Sequence, residues 1–426
     1  MQRKNTFALI TGILFICFSK MATAQEIEQT PLDTLTTTVS KLQTELDLQK
    51  KFKISGYVQA QFQSIDSAGA SSFAGGNFPA YTNNRFVLRR GRIKAAYDNG
   101  IAQGVIQFDA TEKGLALKDA YIKITEPWLN AVSLTSGVFD RAFGFEISYS
   151  SSMRESPERS RLFQTIFPGE RDLGTKISFQ MPKTSNWNFL KIEGGLYNGT
   201  GGTASDFDSK KDFIGNIGIN KTTKNEKVNY AFRTSYYNGG YRQPNKFIYN
   251  NAAGIGFAVD STAENKGKVA RRQYVGVDFQ VNSAFPFGMT SLRGEYIQGI
   301  QPGTAATSSS PSADPAADTY LRNFNGAYVY LLQNIGQTKH QLVVKYDWYD
   351  PNTKAAGNDI GKASSKLTKT DLKYTTLGIG WVFRMDANVK FTAYYDLVTN
   401  ETTNNVVGYS KDLKDNAFTL RVQYKF

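Results

Sequence analysis

Cysteine and histidine are almost missing from this chain, with Cys17 and His340 the sole examples of each. Disulfide frameworks and thiolate metal sites need several cysteines, and zinc hydrolases, Ser-His-Asp enzymes and Cys-His enzymes all need an imidazole. His340 reads as a surface histidine, and no catalytic residue, metal ligand or cofactor is expected. Long apolar runs are scarce too: beyond the first two dozen residues no stretch approaches 18 consecutive apolar residues, and mean hydropathy is −0.39. That excludes helical membrane spans and leaves a membrane β-barrel open, because its signal per segment is weak. Basic residues are spread through the chain and form no patch or arm, so nucleic acid is not an expected partner.

At the beginning, Arg3 and Lys4 precede an apolar run from Phe7 to Phe18, and Ala22-Thr23-Ala24 follows. This is the pattern of a secretory signal over residues 1–24, too short to span a bilayer. Cys17 lies inside that run, so an exported chain starting near Gln25 has no cysteine. The formal charge of +13 falls by three to +10 when Arg3, Lys4 and Lys20 leave, a balance that favours anionic partners. Over residues 25–51, Leu32, Leu35, Val39, Leu42 and Leu46 recur three and four apart, as the a/d stripe of a helix does. This segment is expected to be a periplasmic coiled coil, a lone amphipathic helix or a disordered tether.

From residue 52 to 426 one pattern repeats: about ten residues alternating apolar and polar, closed by Gly, Asn, Asp, Pro or Ser. In the last copy Phe418, Leu420, Val422, Tyr424 and Phe426 alternate with Thr419, Arg421, Gln423 and Lys425. Strands are predicted at roughly 53–64, 85–98, 101–111, 115–125, 131–139, 173–181, 188–198, 212–221, 227–238, 270–281, 289–300, 325–334, 338–349, 371–384, 388–398 and 416–426. Alternation alone fits a soluble sandwich as well as a barrel. The connections choose between them, because short ones such as Asp98-Asn99-Gly100 take turns with long ones such as Asp66–Asn84 and Gln301–Phe324. Only Glu112-Lys113-Gly114 breaks the order. Short turns on one side and long loops on the other are the build of outer-membrane barrels, in which closure leaves no unpaired strand edge in lipid. The predicted fold is all-β, a transmembrane antiparallel barrel of about 16 strands with a short N-terminal helical or coiled-coil segment, both termini periplasmic. Tyr97, Tyr197, Tyr236, Trp348, Tyr349 and Phe426 sit at segment ends, where interface girdles against outer-membrane lipid are expected.

Between Arg85 and Thr175 a series of short pieces stands in order: Leu88-Arg89-Arg90-Gly91-Arg92, Gln107-Phe108-Asp109, Leu117-Lys118-Asp119-Ala120-Tyr121-Ile122, Gly137-Val138-Phe139, Phe143-Gly144-Phe145-Glu146, Glu158-Arg159-Ser160 and Pro168-Gly169-Glu170-Arg171-Asp172-Leu173-Gly174. In these pieces the chain resembles the phosphate-selective porin family of O and P type. Tyr346-Asp347-Trp348-Tyr349-Asp350-Pro351-Asn352 and Tyr424-Lys425-Phe426 extend the resemblance to the late strands. The terminal phenylalanine also resembles the signal that the barrel-assembly machinery reads. The resemblance implies a homotrimer, a third extracellular loop folded into the lumen, and a passage whose arginines and lysines bind oxyanions. Asp140 to Arg171 occupies the place of that loop and carries Arg141, Arg154, Arg159, Arg161 and Arg171. With Arg90 and Arg92 on a lumen-facing strand, these are the candidate anion-binding and constriction residues, for small anionic solutes such as phosphate or pyrophosphate. Acids among them, including Glu146, Glu155, Glu158 and Glu170, offer pairs that would pin the loop, and lumen-side acids such as Asp119 and Asp347 interrupt the ladder of positive charge. A weakly selective porin for sugars or dicarboxylates stays open as an alternative, as does a non-channel barrel or exported β-protein.

Overall fold

The computed structural model describes residues 31–426 apart from 253 and 255. The expected signal segment lies outside the described residues. Helix α1 (Pro31–Lys51) opens on a proline, whose missing N–H costs a helix nothing at that position, and ends on Lys50 and Lys51, which complement the negative end of the helix dipole. Leu35, Val39, Leu42 and Leu46 are all exposed on it.

The second unit is a closed antiparallel sheet. Its first nine strands are β1 (Phe52–Ile65), β2 (Asn84–Asp98), β3 (Ala102–Thr111), β4 (Gly114–Thr125), β5 (Val132–Asp140), β6 (Arg171–Gln180), β7 (Leu190–Tyr197), β8 (Asp212–Thr222) and β9 (Val228–Arg242). A small hairpin follows, β10 (Ile248–Ala252) and β11 (Gly256–Asp260), and then β12 (Val269–Phe285), β13 (Gly288–Gly303), β14 (Thr319–Asn334), β15 (His340–Asp350), β16 (Tyr374–Arg384), β17 (Val389–Asn400) and β18 (Ala417–Lys425). Each barrel strand pairs with its neighbours, β12 pairs with β9, and β1 pairs with both β2 and β18, which closes a ring of 16 strands outside the β10–β11 hairpin.

Two-residue periodicity decides which side chains enter the ring. In β18, Thr419, Arg421 and Gln423 are buried on the inner side while Phe418, Leu420, Val422 and Tyr424 stay exposed outside. In β15, Gln341, Val343, Lys345 and Asp347 turn inward against Leu342, Val344 and Tyr346 outside. At the short-turn end the outer face carries aromatic rings: His340 stacks with Trp381 and Phe383, and Trp381 Nε1 donates to His340 Nδ1. Amphipathic rings of this kind suit a membrane–water boundary.

The structure departs from the sequence reading in four places. Tyr197 and Tyr349 do not join an outer girdle; both are inward and buried, because the strand phase at those ends carries them into the lumen. Gln301–Gly303 and Thr319–Phe324 are ladder, not loop, with Gln301 opposite Arg322 and Gly303 opposite Tyr320. There β10 adds to β14 in parallel, and Tyr249 stacks on Tyr320 at 4.1 Å, so apolar groups lie on both faces and the alternation disappears. Asp140 and Arg171 are paired strand residues, which makes the inward loop proper residues 141–170. Bulges in β2 and β4 leave Arg89 and Lys118 without opposite partners, since Gln59 faces Arg90 while Ala60 faces Leu88, and Gln107 faces Asp119 while Phe108 faces Leu117. A bulge re-aims the extra side chain, and both cations turn to the inner side.

Candidate functional site: the lumen loop and its charged belt

Residues 141–170 cross the barrel interior, and inward side chains from opposite walls hold them. On one wall, Asn216 of β8 donates to the Ala142 carbonyl at 2.9 Å, and Glu295 of β13 accepts from the Phe145 and Glu146 amides at 3.1 and 3.2 Å. On the other, Gln59 of β1 donates to the Ser151 carbonyl at 3.0 Å, Lys390 of β17 to the Ser152 carbonyl at 2.8 Å, and Arg421 of β18 to the Pro157 carbonyl at 2.7 Å. Gly144 permits the entry: its φ of +59° is left-handed, and a Cβ there would overlap the Glu295 carboxylate.

Two kinds of contact fix the loop. The first is aromatic. Phe143, Ile147, Leu162, Phe163, Ile166 and Phe167 are buried against the β8, β9 and β12–β15 wall, joining Tyr237, Tyr274, Phe324 and Tyr328 in one core. Helix α2 (Arg161–Ile166) supplies half of these, and Phe163 lies 5.7 Å from Phe167 and 6.1 Å from Tyr328 between ring centroids. The second kind is ionic. Glu158 accepts a two-pronged bond from Arg89, both distances 2.8 Å, and also meets Arg90 at 3.2 Å and Arg421 at 2.9 Å. Although burial alone would raise it, these three guanidinium groups hold the Glu158 carboxyl well below the usual carboxylate range.

The seven candidate arginines have different surroundings. Arg141 is buried with Asp172 at 3.0 Å. Arg159 pairs with Glu170 and donates to the Glu146 and Ile147 carbonyls at 2.8 Å, which ties the loop to itself. Arg171 meets Asp119 at 2.9 Å, Glu170 at 3.0 Å and Asp140 at 3.3 Å. Arg92 lies 3.3 Å from Asp109, and Arg90 joins Glu158. Arg154 differs: its three guanidinium nitrogens are buried and have no hydrogen-bond partner among the described residues. Burial, with Arg159 and Arg90 nearby, pulls it down to about 9. Arg161 is held by rings, its guanidinium carbon 3.6 Å from the Tyr374 centroid and 4.3 Å from that of Phe73.

Arg89 and Lys118 were absent from the sequence-derived set because strict alternation points them outward. The signal was present in Arg89-Arg90 and Lys118-Asp119, where adjacent charges interrupt an alternating strand and a bulge lets both face one side. With them, seven cations (Arg89, Arg90, Arg92, Lys118, Arg159, Arg171, Arg421) face five carboxylates (Asp109, Asp119, Asp140, Glu158, Glu170), a surplus of two. Open space lies to either side of this belt. A cavity of about 610 Å³ runs from Asp119 and Asp140 toward the short turns, past Lys94, Lys123, Lys176 and Lys191. A second of about 220 Å³ touches Arg89, Asp109 and Lys118. Lys118 and Asp119, adjacent in β4, thus belong to different cavities.

A closed ring of 16 antiparallel strands, with short turns at one end, long loops at the other and one loop folded inside, is the fold of the outer-membrane porins. Among solved structures, the chain is similar to an anion-selective porin from Comamonas acidovorans at 11% identity and a TM-score of 0.52, over 88% of this chain and 99% of that one. It is similar to OmpF of Salmonella typhi, solved in complex with daunomycin, at 12% identity and 0.52 over 88% and 97%, and to the outer-membrane channel DcaP of Acinetobacter baumannii at 11% and 0.50 over 88% and 97%. Identities this low show the fold alone. No family model matches the chain, and no curated protein matches it by sequence.

Proposed function

We propose that this protein is an outer-membrane channel, without enzymatic activity, that passes small hydrophilic solutes and prefers anions, oxyanions such as phosphate among them. The observation that carries this reading is the belt of seven cations against five carboxylates beside the 610 Å³ lumen cavity. A fixed positive surplus at close quarters favours anions by charge, and guanidinium groups present paired donors to oxyanions. Arg154 adds a buried cation whose donors call for an anion or water. Arg90, Arg92, Arg159 and Arg171 act in the belt, while Arg141, enclosed with Asp172, anchors the loop. The five carboxylates keep selectivity moderate.

The apolar outer face suits lipid, and an even strand number returns both ends of the barrel to the short-turn side, which we assign to the periplasm. Assembly as a trimer is part of the proposal. In α1, Val39 and Leu46 take a positions, Leu35 and Leu42 take d positions, and all are exposed, as a helix that packs against copies of itself requires. The test is to reconstitute the purified full-length mature protein in planar bilayers and record reversal potential across a salt gradient, with and without phosphate. Stepwise anion-selective currents reduced by phosphate are expected; unselective currents would leave a general porin, and folded protein without currents would overturn the reading.

A further inference from the structure

Resting on that channel reading, a second recognition site follows from a cleft of about 300 Å³ between α2 and the long connections 304–318 and 351–373. We propose that it holds a carboxylated monosaccharide, a hexuronic acid, at the long-loop entrance of the lumen. Three observations point there together. Arg161 and Lys369 both line the cleft, and among the described residues no aspartate or glutamate does, in contrast to the cavities that touch the belt. The Arg161 Nε has no hydrogen-bond partner among the described residues. The rest of the lining combines ring faces, Phe73 and Tyr374, with hydroxyls and an amide such as Ser308, Thr370 and Gln164.

That set matches a pyranose acid. A carboxylate is drawn to the two cations, the C–H face of a sugar ring packs on an aromatic plane, and ring hydroxyls find short polar side chains. A neutral sugar would leave Lys369 without a counter-charge in the cleft, and bare phosphate would make no use of the aromatic lining that Arg161 does not cover. The volume lies at the small end for ligand sites, enough for one ring.

The walls are rigid before any ligand arrives. Arg161 lies against Tyr374 and Phe73, and Gln164 Nε2 donates to the Phe73 carbonyl at 2.9 Å. Lys369 opens a single 3-10 turn, Lys369–Asp371, capped by Thr368. Asp371 is wholly buried and accepts from Arg322 Nε at 2.9 Å, Asn352 Nδ2 at 3.0 Å and the Thr368 amide at 2.8 Å. Arg161 and Gln164, held this way, lose little freedom on binding, and Lys369 extends from a fixed backbone turn. Asp415 and Asp347 act on Arg161 from a narrower pocket that shares Arg161 and Phe73, so an acid docked in the cleft sits before a neck that carries carboxylates.

The experiment is calorimetric titration of the detergent-solubilised mature protein with D-glucuronate, D-glucose and inorganic phosphate, on a preparation whose bilayer currents are recorded in parallel. Glucuronate is expected to bind at least tenfold more tightly than glucose or phosphate, and Arg161→Gln to weaken it at least tenfold. Lys369→Gln, an exposed change that spares the fold, should weaken it severalfold. Equal binding of glucuronate and glucose, or no glucuronate binding by a preparation that conducts, would overturn the uronate site alone. Absence of currents from folded protein would overturn the channel reading instead.

Discussion

The lumen loop is attached to the barrel in two ways, and they do different work. Toward β8, β9 and β12–β15 it is seated chiefly by rings from Phe143, Phe163 and Phe167, a contact that depends on shape and is indifferent to pH and salt, with Glu295 on the Phe145 and Glu146 amides and the Arg293–Glu155 pair beside it. Toward β1, β2, β17 and β18 it is held by Glu158 among three arginines and by backbone carbonyls that accept from Lys390 and Arg421. In the proposed channel the groups that hold the loop here are also the groups a passing ion would meet. On that proposal the work divides between them: the apolar side sets where the loop lies, and the ionic side sets what the gap prefers.

The largest effect is expected from the apolar side. Phe163→Ala removes a fully enclosed ring and should cost about 3–5 kcal/mol of loop seating. Larger, noisier single-channel conductance and a lower unfolding temperature on heat-modifiability gels should follow; unchanged conductance would mean the rings do not position the loop. Next comes Glu158→Gln, which leaves Arg89, Arg90 and Arg421 facing one another. The cation surplus rises from two to three, so anion selectivity should increase while the loop loosens, both read from reversal potential and current noise.

Acid provides the same comparison without mutation. Because the Glu158 carboxyl is held below its ordinary value of 4.5, its contribution is fully present above that value and is lost only as pH falls through the lower one. The difference in current noise between wild type and Glu158→Gln should therefore persist from pH 7 to 4.5 and close only at lower pH; a difference that closes within that window would show that Glu158 is not the clasp. Arg89→Gln or Lys118→Gln lowers the surplus by one and should reduce the anion-to-cation permeability ratio severalfold with the fold intact. The smallest effect on conduction is expected from Val39→Asp with Leu42→Asp in α1, which should abolish trimers in chemical cross-linking and leave the current of each barrel unchanged.

Much of this could be read from the sequence, for reasons that differ between regions. The ring of 16 strands was legible because lipid outside and charge inside impose a period of two, as Phe418 to Phe426 display. Legibility fails where that contrast ends. Above the membrane, Gln301–Gly303 and Thr319–Phe324 pack on both faces, and the β10–β11 hairpin adds there with no alternation to announce it. Within the membrane, the bulges at Arg89 and Lys118 break the period and hide two cations from any reading by parity. The candidate arginines stand out as a group, but their partners lie far away in sequence: Arg90 reaches Glu158 of the lumen loop, and Arg141 finds Asp172 at the start of β6.

The central claim is that the belt beside the lumen loop favours anions, and its most direct test is the zero-current potential of wild-type channels in a steep KCl gradient. The account predicts a potential of the sign set by chloride, reduced by Arg89→Gln and enlarged by Glu158→Gln; a potassium-signed or null potential in the wild type would contradict it.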